Sequence, residues 1–220
     1  MKVRTKMRTI TVKGIGSASS KPDCVVLSMT LESLDKDYGK AVDASAAQLE
    51  KLRGSLTAAG FGEDALKTVN FNIRTEYEHV SDKNGNYRPV FKGYAVCHSL
   101  KIEFDFDQTR LSDALYAVSS CLAEPQLNIS FTLKDPTAIN DEMLRSATEN
   151  ARRKAEILCE SAGTKLGQLV SINYSWDELA ICSETDMCMG TNTMAMAKSI
   201  AITPDDIRVS DSATFVWEIL

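Results

Sequence analysis

The stretch DPTAINDEMLRSATENARRKAEILCESAG, residues 135–163, decides how this chain folds. Asp135 suits a helix N-cap, and Pro136 suits the first helical position, where a missing N–H leaves nothing unpaired. Gly163 suits the left-handed position just past a helix end. Between them Ala147, Ala151, Ala155 and Cys159 recur at every fourth residue. That spacing stacks small side chains along one side of a helix. Leu144 and Leu158 flank the ladder and widen the apolar stripe. Glu142, Arg145, Glu149, Arg152, Arg153 and Glu156 occupy the opposite face. Small side chains let a helix lie close to a sheet or to another helix, so the stripe predicts packing. It holds no catalytic constellation.

Outward from this helix, alternating apolar residues predict strands. Upstream, Arg8–Lys13 alternates around Ile10 and Val12, and Gly14-Ile15-Gly16-Ser17 follows. The third glycine of a dinucleotide fingerprint is missing, so the pair reads as a glycine bend between strands. Cys24–Leu34 is a second strand. Asp35 is the expected cap of a helix running to about Ala59, with Val42, Ala46, Leu49, Leu52 and Leu56 at helical spacing. Val69, Phe71, Ile73, Thr75 and Tyr77 alternate in a third strand. Asn84-Gly85 signals a hairpin, and a long strand returns over Tyr87–Phe106. On that strand Tyr94, Val96, His98, Leu100, Ile102, Phe104 and Phe106 share a covered face, opposite a wet one. A helix over Thr109–Ala123 and a strand through Leu127, Ile129, Phe131 and Leu133 lead back to residue 135. Downstream, Gln168–Trp176 and Ile207–Leu220 read as strands. Asp177–Thr203, with Cys182, Cys188, Met187, Met189, Met194 and Met196, breaks the rhythm as a long loop. The class is α+β: a mostly antiparallel sheet with a ferredoxin-like β-α-β-β-α-β core, followed by an α-β-β extension, with helices covering the sheet.

The chain has 220 residues, 44% hydrophobic and 25% charged, with a net charge of −5. These values describe a globular protein, and the acidic balance argues against nucleic-acid binding. No apolar run is long enough for a membrane helix, so no direct membrane insertion is expected. Met1–Ser20 is basic but alternates like a strand and lacks the apolar core of a signal peptide. As it stands the sequence predicts a cytoplasmic protein; removal of an export signal would give the same text and a periplasmic or envelope location. The six cysteines lack metal-type spacing and read as small buried hydrophobes, with no structural disulfide expected.

Taken in order, Ile10-x-Val12-x-Gly14-x-Gly16, Pro22-Asp23, Gly93-Tyr94, the series Ala147, Ala151, Lys154-Ala155, Gly163, Leu166-Gly167, and Pro204 before a terminal strand resemble the SIMPL-domain family. The resemblance covers nearly the whole length. That family includes bacterial periplasmic immunogenic and oxidative-stress-associated proteins. It implies one domain over residues 1–220, no recognised catalytic residue, frequent export, and ring-forming homo-oligomers. It places no oxidative-stress mechanism on particular residues.

The search for chemistry returns little. His98 lies among apolar residues and reads as a core or interface histidine; His79 lies near the hairpin end. Asp105 and Asp107 share one strand face, about 7 Å apart. The alternative is a small-molecule-binding protein or an enzyme using a polar site near Asp105, Asp107 and His98. No catalytic, cofactor or metal residue is assigned. The methionine-rich loop has three readings: a soft metal site, an adaptable interface, or a loop without structure. Its methionines lack the repeated spacing of a metal tract. The expectation is a non-enzymatic, self-assembling protein, scaffolding or stress-related, without a cofactor. Its homo-oligomer is expected to form through the hairpin and the 177–203 loop.

Overall fold

The structure is a computed structural model and describes residues 8–81, 87–121, 125–175, 181–185, 187–189 and 202–220. Its elements are β1 (Thr9–Ser20), β2 (Cys24–Asp35), α1 (Tyr38–Ala58), β3 (Lys67–Ser81), β4 (Tyr87–Asp105), α2 (Gln108–Ser120), β5 (Gln126–Thr132), α3 (Thr137–Ser161), β6 (Leu166–Asn173), β7 (Met187–Met189) and β8 (Ile207–Ile219). The strands form two antiparallel sheets, ordered β1-β8-β6 and β3-β4-β2-β5-β7. The class is α+β, as expected. The chain divides into two compact units. Met1–Pro22, Leu133–Glu184 and Asp205–Leu220 make the first; Asp23–Thr132 and Thr185–Pro204 make the second.

The first unit is α3 on the three-stranded sheet. The N-terminal strand finds its partner at the other end of the chain, β1 pairing β8 from Thr9↔Glu218 to Ser20↔Ile207. The buried stripe of α3 is Ile139, Met143, Ala147, Ala151, Ala155 and Cys159, an unbroken four-residue spacing. Opposite it the covered face of β1 reads Val12, Gly14, Gly16, Ala18. This corrects the expected glycine bend, because the strand runs straight through both glycines. A Cβ on Gly14 would overlap the Ala147 carbonyl oxygen and lie 2.7 Å from Ala151 Cβ; one on Gly16 would overlap the Met143 carbonyl oxygen and lie 2.9 Å from Ala147 Cβ. The glycines are there for room. Around this contact Val12, Ala151, Ala155, Ala213, Phe215 and Trp217 form one apolar cluster, and Ala18, Ile139, Met143, Ile207 and Val209 form another. Burying each large side chain contributes about 1.5–3 kcal/mol.

The ends of α3 depart slightly from expectation. Pro136 is the cap position, and the Asp135 carboxylate accepts the Thr137 N–H at 2.9 Å. At the other end the Thr164 N–H bonds the Cys159 carbonyl and the Gly163 N–H that of Glu160, with Gly163 at φ 71°. That is a Schellman closure. Leu158, expected in the stripe, is 53% exposed. Each four-residue step advances about 40° around the helix, so late in α3 the covered side has turned away from it.

The second unit carries the expected β-α-β-β-α-β order. In its sheet β4 lies between β2 and β3, and β2 lies between β4 and β5, so both crossovers are split. Val25, Leu27, Met29, Leu31, Leu100, Ile102, Phe104, Leu127, Ile129 and Phe131 fill one face beneath Leu52 and Leu56 of α1 and Leu111, Ala114, Leu115 and Val118 of α2. Helix α1 is capped by Asp37, which accepts the Lys40 N–H at 3.0 Å. The expected cap, Asp35, instead accepts the Asp37 N–H. The buried stripe of α1 is Ala41, Ser45, Leu52 and Leu56. Ala46, expected inside, is exposed. Ser33 fixes this rotation by donating to the Ala41 carbonyl at 2.8 Å.

The expected loop over 177–203 is structured where it is described. Ser183 Oγ donates to the Asp205 carbonyl at 2.7 Å. β7 adds to β5 with Leu127↔Met189 and Ile129↔Met187. Ile202 is buried in the second unit's core. The expectations for Met194 and Met196, and for the Asn84-Gly85 turn, lie outside the described residues.

Candidate functional site

His98, Asp105 and Asp107 do not converge. His98 sits on β4 facing the core and is 6% exposed. Its Nε2 lies 2.9 Å from Thr68 Oγ1, and Phe71 meets its ring edge-on at 5.1 Å. Burial lowers its pKa below the usual 6.5. Asp105 is the last residue of β4, seven positions from His98. An odd separation puts it on the opposite face, about 23 Å along the strand. Asp107 is not on the strand; it is the N-cap of α2, and its carboxylate accepts the Arg110 N–H at 2.8 Å. The expected pairing of Asp105 with Asp107 on one strand face therefore fails, because the chain turns into α2 between them. Among the described residues no three His, Cys, Asp or Glu side chains group as a metal site.

What the structure does gather is an aromatic surface on the β3–β4 hairpin. On β3, Val69, Phe71 and Tyr77 are 60%, 48% and 53% exposed. At Gly93 the register between β3 and β4 slips, with Glu76 opposite Gly93 and Tyr77 opposite Phe91. A Cβ at Gly93 would lie 2.6 Å from the Asp35 carbonyl oxygen, so glycine keeps β4 against the end of β2 there. Beyond this bulge the arm runs as a plain two-strand ribbon to Ser81↔Tyr87. Across the bulge aromatic rings meet edge-on, Tyr38 at the start of α1 with Tyr94 at 5.5 Å, Tyr94 with Phe91 at 5.3 Å and Phe91 with Tyr77 on the arm at 5.8 Å. Tyr87 is 73% exposed. The sequence pattern missed this run, although four aromatics within the stretch from Tyr77 to Tyr94 were its signal.

The strand edges are treated unequally. The open edge of β1 is sealed by α3: Asn150 Oδ1 accepts the Ile15 N–H at 3.1 Å, Ser146 Oγ accepts the Ser17 N–H at 3.4 Å, and Lys154 Nζ donates to the Lys13 carbonyl at 3.3 Å. This polar ladder runs beside the alanine ladder at the same spacing. It occupies backbone groups that another chain would otherwise pair with.

The SIMPL family model, described as a protein of unknown function (DUF541), matches residues 10–217. The chain belongs to the SIMPL family. The 26 kDa periplasmic immunogenic protein of Brucella melitensis is 26% identical over 169 residues, covering 77% of this chain and 67% of that protein. The uncharacterized protein YggE of Escherichia coli K12 is 21% identical over 169 residues, covering 75% of this chain and 65% of that relative. The matches thus span about two thirds of those relatives' length. Among solved structures, the regulatory subunit of aspartate kinase from Thermus flavus pairs with 94% of this chain and 89% of its own at 9% identity. Its TM-score of 0.17 carries no argument. In this SIMPL chain Gly14, Gly16, Ala147 and Ala151 are the helix–strand contact itself. Gly93 is the bulge at the root of the arm, and Tyr94 belongs to the aromatic run.

Proposed function

We propose that this SIMPL protein is a non-enzymatic, self-assembling scaffold of the periplasm or cell envelope, joined through the β3–β4 arm and the 177–203 segment. The observation that carries this reading is the uncovered apolar arm: Tyr77, Val80, Tyr87 and Phe91 are 53%, 39%, 73% and 38% exposed on one two-strand ribbon. Contiguous exposed aromatic surface marks an interaction site, and a second copy of the chain brings the same surface under two-fold or ring symmetry. The location rests on the Brucella relative, a periplasmic immunogenic protein, and the cytoplasmic expectation finds no support among the relatives. No helix among the described residues is long and apolar enough to cross a membrane. The competing reading, an enzyme using Asp105, Asp107 and His98, loses its geometry because the three groups face different ways. A stress-related role has no residue in its support and stays outside the proposal.

The test is a double change on the arm, Tyr77→Ser with Phe91→Ser, in the full chain. Analytical ultracentrifugation is expected to show a smaller assembly than the parent, with an unchanged far-UV circular dichroism spectrum. Equal masses for the two proteins would contradict the assignment of the arm.

A further inference from the structure

The helix-free face of the five-stranded sheet carries a cleft with charges of both signs. The register sets Leu34, Ala95 and Arg74 side by side across β2, β4 and β3, and Glu32, Cys97 and Asn72 in the next row. The short side chains are on the middle strand, so Ala95 and Cys97 floor a trough between longer neighbours. The trough is open to solvent and holds about 210 Å³, roughly seven waters' share of liquid volume. Glu32 and Leu34 line it from β2 and Arg74 from β3, while Lys92 and Glu76, paired at 3.6 Å, line it further along. The Glu32 carboxylate and the Arg74 guanidinium make no ion pair or hydrogen bond with each other or with any other group of the described residues. Two strand spacings and one two-residue step put their Cα atoms about 12 Å apart.

We infer that this cleft binds a small zwitterion of the α-amino acid type. A guanidinium takes a carboxylate by two parallel hydrogen bonds, which suits Arg74. The ligand's ammonium then faces Glu32, and its short aliphatic part rests on Ala95 and Leu34. A simple anion meets repulsion from Glu32 and Glu76, and a simple cation meets it from Arg74 and Lys92. Only a ligand carrying both charges satisfies both walls. The inference stands on this sheet face alone and is independent of assembly.

Cys97 in the floor is a reporter, and exposed Cys182 is a reference on the same chain. Labelling of the full protein with iodoacetamide, mapped by mass spectrometry, is compared with and without glycine or L-alanine. Near saturation either amino acid is expected to slow Cys97 labelling about tenfold and leave Cys182 unchanged. Acetate and methylammonium at the same concentration are expected to do neither. Arg74→Ala and Glu32→Gln are each expected to abolish the protection. Calorimetry with L-alanine reads the same equilibrium without using the thiol. Absence of heat and of protection overturns the inference, as does equal protection by acetate or methylammonium. Protection that survives in both variants overturns it too.

Discussion

Gly16 has no space for a methyl group. Its missing side chain is where the Met143 carbonyl of α3 rests, and Gly14 does the same for Ala147. Gly16→Ala must push the helix off the strand, so it should destabilise the protein by roughly 1–3 kcal/mol or more. Ala151→Leu, at a position with no exposed surface, should cost a similar amount. Leu158→Ala is the contrast, expected within about 0.5 kcal/mol because Leu158 projects into solvent. Urea midpoints rank the three, and equal shifts would mean the ladder does not carry the packing. His98 gives a pH dependence of definite sign. Its folded-state pKa lies below 6.5, so the unfolded chain takes up a proton that the folded chain refuses. Stability should fall as pH drops below 6.5 and level off beneath the folded-state value. His98→Asn should lose that component, and identical acid slopes in the two proteins would contradict it.

At the scale of elements, α3 does two things to β1 with two parallel ladders. Alanines lie on the glycines, while Ser146, Asn150 and Lys154 close the strand's open edge. Asn150→Ala leaves the Ile15 N–H without its partner and should cost about 1 kcal/mol. Hydrogen exchange of the Ile15 amide should quicken, and unchanged exchange would show that the edge is protected some other way. The helix was legible in the sequence because a four-residue spacing of small residues has one physical meaning, close approach. What it approached was not legible. Glycine reads the same whether it supplies backbone freedom or room, so Gly14 and Gly16 read as a bend. The polar ladder read as a solvated face because nothing local places β1 beside it. Strand alternation gave the β-α-β-β-α-β order, but not which strand faces the helices cover. Alternation records which residues share a face, and only the extent of the helices decides whether that face is covered. The candidate site failed for a related reason: Asp105 and Asp107 keep a strand's spacing across the point where the strand ends.

At the scale of the whole molecule, each sheet has apolar side chains exposed among the described residues. In the three-stranded sheet, Leu169, Val170 and Ile172 of β6 are 47%, 48% and 55% exposed, and in the five-stranded sheet the arm is bare. β6 carries two register shifts against β8, a device that twists an edge away from new partners. The arm is straight beyond Gly93 and ringed with aromatics, so it is the better surface for a second copy. Sedimentation equilibrium of the unaltered chain tests this most directly. The account predicts one discrete species of two or more chains, its mass an integer multiple, at least twofold, of 24.1 kDa over a wide range of concentration. A single 24.1 kDa species throughout that range would contradict it.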